Sequence, residues 1–311
     1  MLLLLLLLLL CAAQLAASSS RVMIVANHVQ PGGPSVATVA QLQALLDAHP
    51  NTVFDVSHSR WTVKNQSIWL RSNRSLVMDS TTVIEGTGLL PLTNPKHEGG
   101  GAVLTVTGTN ISVAGGRIQQ EILPACAQAK VQPTPGACNF GVDIYYSSGI
   151  TFRDTVVEGS FMSAVRVVGG FWPAGIRPGA PPTSSDWVTL PGLVRQPVLI
   201  TNVTLLHHRN ESFFQLRGFW TVITANVIFS RNTILGSFGY AIDLDSSSSA
   251  NLVVNNYMKG CLWEGIFTEY SAVGNTIVGN TVLANVSYDQ GIHIVSDSPP
   301  LPLLYLTPFG W

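Results

Sequence analysis

Three short blocks in the last third of the chain hold the side chains best suited to acid–base chemistry. AIDLD (241–245) carries Asp243 and Asp245, EGIFTE (264–269) carries Glu264 and Glu269, and GIHIV (291–295) carries His293. On an extended strand, residues two apart share a face and lie about 6.6 Å from each other. Ala241 and Gly265, which open AIDLD and GIFTE, are 24 residues apart. If such blocks stack as neighbouring strands, about 4.8 Å apart, Asp245 and Glu269 hold the same place on successive layers. Carboxylates that close repel and split their pKa values, leaving one protonated and one ionised, as acid–base cleavage of a glycosidic bond requires. The expectation is an exposed cluster of Asp243, Asp245 and Glu269, with His293 two layers from Asp243 beyond Phe267 as a fourth catalytic candidate. Arg166, Arg217 and Glu264 are the candidates for binding substrate beside it. The same acids would suit Ca²⁺, a hard cation that takes carboxylate oxygens. In that case the reaction is a β-elimination, with Arg166, Arg217 or Lys259 removing the proton. A purely structural use of these residues is an outward ladder: Arg166 and Gln215 followed by Asp243, and Arg217 followed by Asp245. Opposite charges on adjacent strands contribute about 0.2–1 kcal/mol per pair.

Internal repeats supply the elements that position these residues. NVTLLHH, NVIFSRN, NLVVNNY and NTIVGN begin at Asn202, Asn226, Asn251 and Asn275, at steps of 24, 25 and 24 residues. A second polar column is His208, Asn232, Asn256 and Asn280, at steps of 24. Each segment alternates apolar and polar residues briefly and then meets a turn residue, the pattern of short strands. A repeat of this length suits one coil of a solenoid. A further block recurs as GVDIY (141–145), AVRVV (164–168), FFQLR (213–217), AIDLD, GIFTE and GIHIV. Its second position is Val142, Val165, Phe214, Ile242, Ile266 and Ile292, and its fourth is Ile144, Val167, Leu216, Leu244, Thr268 and Ile294. These nearly all-apolar columns should enter one core, which turns the third and fifth positions outward. Asn suits the sharp bends because it tolerates left-handed backbone, and stacked Asn amides can bond between coils.

Asn-led short strands with Gly-Ile-x-x-Glu blocks at this period resemble the right-handed parallel β-helix of the pectin lyase-like superfamily. The likeness covers residues 35–297 and implies an all-β solenoid. SVATVAQLQALLDAHP reads as a short N-terminal capping helix with Val39, Leu42, Leu45 and Leu46 on one face. The resemblance stops at the fold, because fold does not fix function. The NTD, DD, GHG and RIK motifs of polygalacturonase-like members are missing, as are the WxDH and RxPxxR motifs of pectate lyase-like ones. No catalytic residue carries over from either.

Two insertions interrupt the coils, at 119–140 and 169–197. Loops of such length in a compact domain are commonly functional. Trp172 and Trp187 in the second could stack on sugar faces or merely pin the loop. Cys126 and Cys138 bound the first and are expected to form a disulfide, leaving Cys261 a buried thiol. The spacing of these cysteines does not match a zinc site, and no metal ligands are assigned.

Leu2–Leu10 followed by small residues is the form of a secretory signal over 1–18, ahead of one β-helix domain over 19–311. Six N-x-[ST] sequons, at Asn65, Asn73, Asn110, Asn202, Asn210 and Asn285, fit an exported glycoprotein. With 16 Lys+Arg against 17 Asp+Glu there is no positive excess for a nucleic-acid partner. No second apolar span follows the signal, so no membrane association is expected after its cleavage. These features point to a secreted polysaccharide-active enzyme, a glycoside hydrolase or a lyase with Ca²⁺. The alternative is a non-catalytic extracellular β-helix that binds glycans or gives structure. The oligomeric state is left open.

Overall fold

The computed structural model describes residues 21–24, 38–91, 101–121, 138–159, 162–169, 197–206, 217–222, 224, 226–236, 239–245, 248, 250–261, 264–268, 272, 274–283 and 290–294. The chain enters through β1 (Arg21–Ile24) and helix α1 (Val39–Ala48), then β2 (Thr52–Asp55) and β3 (Arg60–Val63). Coils of three strands follow. They are β4 (Ile68–Leu70), β5 (Arg74–Val77) and β6 (Val83–Gly86), then β7 (Ala102–Ala114) and β8 (Arg117–Gln120), then β9 (Phe140–Arg153) and β10 (Val156–Gly159). The next are β11 (Ser163–Val168), β12 (Val198–Thr201) and β13 (Thr204–Leu206), then β14 (Arg217–Val222), β15 (Val227–Ser230) and β16 (Thr233–Leu235). The last are β17 (Tyr240–Asp245), β18 (Leu252–Val254) and β19 (Tyr257–Lys259), then β20 (Glu264–Thr268), β21 (Thr276–Val278), β22 (Thr281–Leu283) and a closing β23 (Gln290–Ile294).

The coils stack into three faces, and every described ladder is parallel. The first face runs β4, β7, β9, β11, β14, β17, β20, β23. The second runs β1, β2, β5, β7, β9, β12, β15, β18, β21. The third runs β3, β6, β8, β10, β13, β16, β19, β22. β7 and β9 are long enough to bend through the first two faces, with an irregularity at Thr107/Gly108. This is a parallel β-helix with a short capping helix. The apolar columns stack inside as expected: Ile242 on Ile266 on Ile292, and Leu244 on Thr268 on Ile294. A small residue precedes each of the three isoleucines, and at Gly265 there is no room for more. A Cβ on Gly265 would lie 2.5 Å from a methyl of Val282 across the core.

α1 starts at Thr38, whose hydroxyl accepts from the Gln41 backbone while the Gln41 side chain accepts from the Thr38 N–H, a capping box. Val39, Leu42 and Leu46 are buried and Leu45 packs against the core edge. Gln43 lays its amide along the open edge of β4, accepting from Trp69 N–H at 2.7 Å and donating to Trp69 C=O at 3.2 Å. The side chain thus substitutes for a missing strand.

Two corners repeat left-handed backbone on nearly every coil. Between the second and third faces the series is Gly115, Asp154, Asn202, Arg231, Asn255 and Gly279, with φ from 52° to 82°. Between the first and second it is Asn51, Asn73, Asn110, Gly149, Asn226, Ala250 and Gly274, with φ from 54° to 65°. Asn ladders run beside these corners. Asn232 donates its backbone and side-chain N–H to Asn256 Oδ1, and Asn256 does the same to Asn280. Asn251 repeats this toward Asn275. One expected member is displaced: the place before Asn232 is taken by Val203, whose N–H donates to Asn232 Oδ1. His208 lies outside the described residues.

Candidate functional site

The outer side of the first face carries the third and fifth positions of each block. In register, the third-position column reads Trp69, Thr105, Asp143, Arg166, Trp220, Asp243, Phe267, His293. The fifth reads Thr107, Tyr145, Val168, Val222, Asp245.

Three expectations change here. The block preceding AIDLD is GFWTV (218–222) and not FFQLR, so Phe219 enters the core above Ile242 in place of Phe214. Arg217 consequently pairs with Tyr240, and Val222 takes the place beside Asp245 that was assigned to Arg217. A bulky aromatic-rich run can be aligned in two ways by pattern; hydrogen-bond register decides. Gln215 lies outside the described residues. Next, Asp243 and Asp245 are not exposed: they are 0% and 7% accessible. The outer side of this strip is covered as well as the inner one, so a position turned away from the core is not thereby in water. Finally, the ionic partner of Arg166 is not Asp243. Arg166 Nε donates to Asp143 Oδ1 at 3.0 Å and Nη2 to Oδ2 at 2.7 Å, a two-pronged pair on adjacent coils. Both are buried, and the guanidinium lies 3.7 Å above the ring of Phe140. Cation and anion thus satisfy one another in a dry setting, which suits the fork of arginine.

Past Asp243 the column stays buried at Phe267 and becomes partly accessible at His293. Tyr240 stacks on Phe267 with ring centroids 4.7 Å apart and planes within 9°. His293 follows Phe267 at 5.3 Å. His293 Nδ1 lies 3.2 Å from Glu264 Oε1, and both remain in reach of solvent, with side chains 36% and 14% accessible. This brings together Glu264 and His293, placed apart by sequence reasoning as a binder and a catalyst. When Nδ1–H donates to Glu264, Nε2 is left as the basic nitrogen. Glu269, Trp172 and Trp187 lie outside the described residues. Among the described residues no three of His, Cys, Asp and Glu are grouped to hold a metal.

At the other end of the same face is a cluster that sequence reasoning did not single out. Trp69 and Tyr145 meet edge to face at 6.1 Å, Tyr145 and Tyr146 at 5.6 Å, and the Arg71 guanidinium lies 5.8 Å from the Trp69 ring. Burial pushes the Tyr146 hydroxyl up to about 12, with Tyr145 adding to the rise. The Tyr145 hydroxyl is raised by burial and by the charge of Asp143. Both phenols therefore stay neutral donors at ordinary pH. The signal was present in SIWLRS: Ile68 and Leu70 point inward, which leaves Trp69 and Arg71 on the outer side.

Cys138 is buried two residues before β9 and Cys261 is a buried thiol, while Cys126 lies outside the described residues. Asn65, Asn73, Asn110 and Asn202 are exposed, each in left-handed backbone; Asn210 and Asn285 lie outside the described residues. The signal segment also lies outside them. No described helix is long and apolar enough to cross a membrane.

Fold and repeat together define a right-handed parallel β-helix protein. Residues 197–301 match the family described as right handed beta helix region. No curated protein matches the sequence. Solved structures with a similar chain path include a Parabacteroides merdae ATCC 43184 protein provisionally assigned as a glycosyl hydrolase. It is 9% identical with a TM-score of 0.44, covering 86% of this chain and 100% of that one. An alginate lyase from Paenibacillus sp. str. FPU-7 is 14% identical with a TM-score of 0.40, covering 89% and 92%. The Streptococcus pneumoniae surface protein and adhesin PfbA is 11% identical with a TM-score of 0.34, covering 88% and 100%.

Proposed function

We propose that the chain is an exported, glycosylated protein that binds a polysaccharide along the outer side of its first face and cleaves it. The observation that carries this reading is the Glu264–His293 contact at 3.2 Å, partly accessible to solvent on its His293 side and flanked by the Tyr240–Phe267 stack. A carboxylate that holds the Nδ1–H of an imidazole leaves Nε2 ready to take a proton. That proton comes from a water attacking the glycosidic carbon, or from the carbon beside a uronate carboxylate in β-elimination. In either route the C–O bond to the leaving sugar breaks and its oxygen takes up a proton from an acid. With Asp243 and Asp245 out of water, Glu269 is the candidate for that acid, and Trp172 and Trp187 are candidates for further sugar contacts.

The test is a panel of plant, algal and bacterial polysaccharides, followed by reducing ends and by the ultraviolet absorbance of unsaturated uronates. Glu264→Gln and His293→Ala should each lower turnover by about 10²–10⁴-fold, the usual contribution of acid–base catalysis, with unchanged melting. Full activity in both variants rejects the assignment. The second reading, a glycan binder without chemistry, is favoured by the burial of Asp243 and Asp245. It predicts retention on a polysaccharide and no product in any assay. The Cys126–Cys138 bridge belongs to the same reading: peptide mapping without reductant should recover both cysteines in one linked peptide pair.

A further inference from the structure

We infer that Trp69, Tyr145, Tyr146 and Arg71 form a second binding subsite, for a uronate unit of the glycan chain. It rests on the proposal that this face binds polysaccharide. The cluster lies on the same outer strip as Glu264 and His293, at β4 and β9 against β20 and β23. Six strand steps separate β4 from β20, about 29 Å at the usual spacing. A single extended chain could thus touch both ends.

The physical argument starts from how rigidly the cluster is held. The Gln43 amide binds both backbone groups of Trp69, so its strand is fixed although it is the first of its face. Trp69, Tyr145 and Tyr146 are each only partly buried. Aromatic rings with few torsions offer wide contact area to a ligand at low entropic cost. Thr105 lies between Trp69 and Asp143 in the column; it is 0% accessible, and its Oγ1 makes no hydrogen bond among the described residues. Thr105 is sealed from solvent, so it belongs to the floor beneath the aromatic cluster and makes no contact with a ligand. Arg71 supplies the charge. Its Nη1 donates to Asp47, and the side chain is 49% accessible. A guanidinium has five N–H donors, so one carboxylate partner does not exhaust it. A uronate carboxylate is the sugar substituent that matches its fork.

A purely structural role for Arg71, holding α1 through Asp47, makes a distinct prediction. Arg71→Gln and Asp47→Asn then break the same bridge and act alike. The subsite predicts opposite signs. With polygalacturonate and a neutral glucan as probes in affinity electrophoresis, Arg71→Gln should weaken polygalacturonate binding about tenfold and spare the glucan. Asp47→Asn should tighten polygalacturonate binding. Trp69→Ala should weaken both probes, with Trp69→Phe restoring most of the loss. If Trp69→Ala does not fold, the Arg71 and Asp47 pair still decides. Equal effects of Arg71→Gln and Asp47→Asn, or no effect of either, overturn the subsite. If that happens while Glu264→Gln still abolishes turnover, the proposed function stands without it. A wild-type protein that retains neither probe overturns the subsite together with the proposal beneath it.

Discussion

The corner between the second and third faces and the outer side of the first face are built on the same coils and behave oppositely. At the corner each coil repeats its neighbour. Residues from Gly115 to Gly279 adopt one backbone state, and their N–H groups donate in series to the coil above, Asp154 to Thr201, Asn202 to Ser230, Arg231 to Val254 and Asn255 to Val278. On the outer side no two successive third positions carry the same residue: Trp69, Thr105, Asp143, Arg166, Trp220, Asp243, Phe267 and His293. Repetition holds a solenoid together, since each coil must satisfy the next. Variation along one strip is not required by stacking, and it is where charge and aromatic surface accumulate.

The largest expected effect tests whether the middle of that strip is structure or site. Arg166→Met leaves Asp143 buried without its fork and should cost about 3–5 kcal/mol, while Asp143→Leu with Arg166→Met should recover most of it. Denaturant melts of the three proteins check this. A single variant as stable as the wild type would remove Arg166 from the structural account and return it to substrate binding.

At the corner the expected loss is smaller. Asn256→Ala removes an amide that donates to Phe229 C=O and to Asn280 while accepting from two N–H groups of Asn232. Leaving such groups unmade costs about 1–3 kcal/mol. The same substitution should leave glycan binding unchanged, which separates corner from strip.

Acid should weaken the corners. The Asp79 carboxyl is held well below the usual carboxylate range by the Thr82 hydroxyl, then by the His58 N–H and Thr81. The Asp154 carboxyl is lowered by the Asn202 amide and by Arg153. Their contribution is present above the unfolded value, about 3.9, and is lost as pH falls through the lower folded value. Asp79→Asn and Asp154→Asn should therefore flatten the loss of stability below about pH 4. Thermal melts from pH 7 downward show whether the curves converge.

The smallest effect is a gain. Ala250 sits at φ 54° in a column otherwise filled mostly by Asn and Gly. Ala250→Gly relieves the Cβ clash at some entropic cost, for a net rise of about 0.5–1 kcal/mol. A drop in melting temperature would show that the column is tuned by packing and not by backbone.

Much of the fold was legible because its repeats act locally. The 24-residue spacing of Asn251 and Asn275, and of Asn232, Asn256 and Asn280, reflects amides that bond from one coil to the next. Val39, Leu42 and Leu46 declared the helix face in the same way. Where a coil is longer, the period breaks and pattern alone slips: FFQLR for GFWTV, and His208 for Val203. The sequence by itself determined the parallel solenoid and most of its apolar columns, because alternation on a strand and a repeat of fixed length restrict which side chains can turn inward. Tertiary structure alone decided which of the chemistry-bearing residues meet. Asp143 found Arg166, Glu264 found His293, and Trp69 found Tyr145 across two coils, because pairing between coils depends on register and insertion length. It also decided that Asp243 and Asp245 lie out of water, since alternation says which way a side chain points and not what covers it.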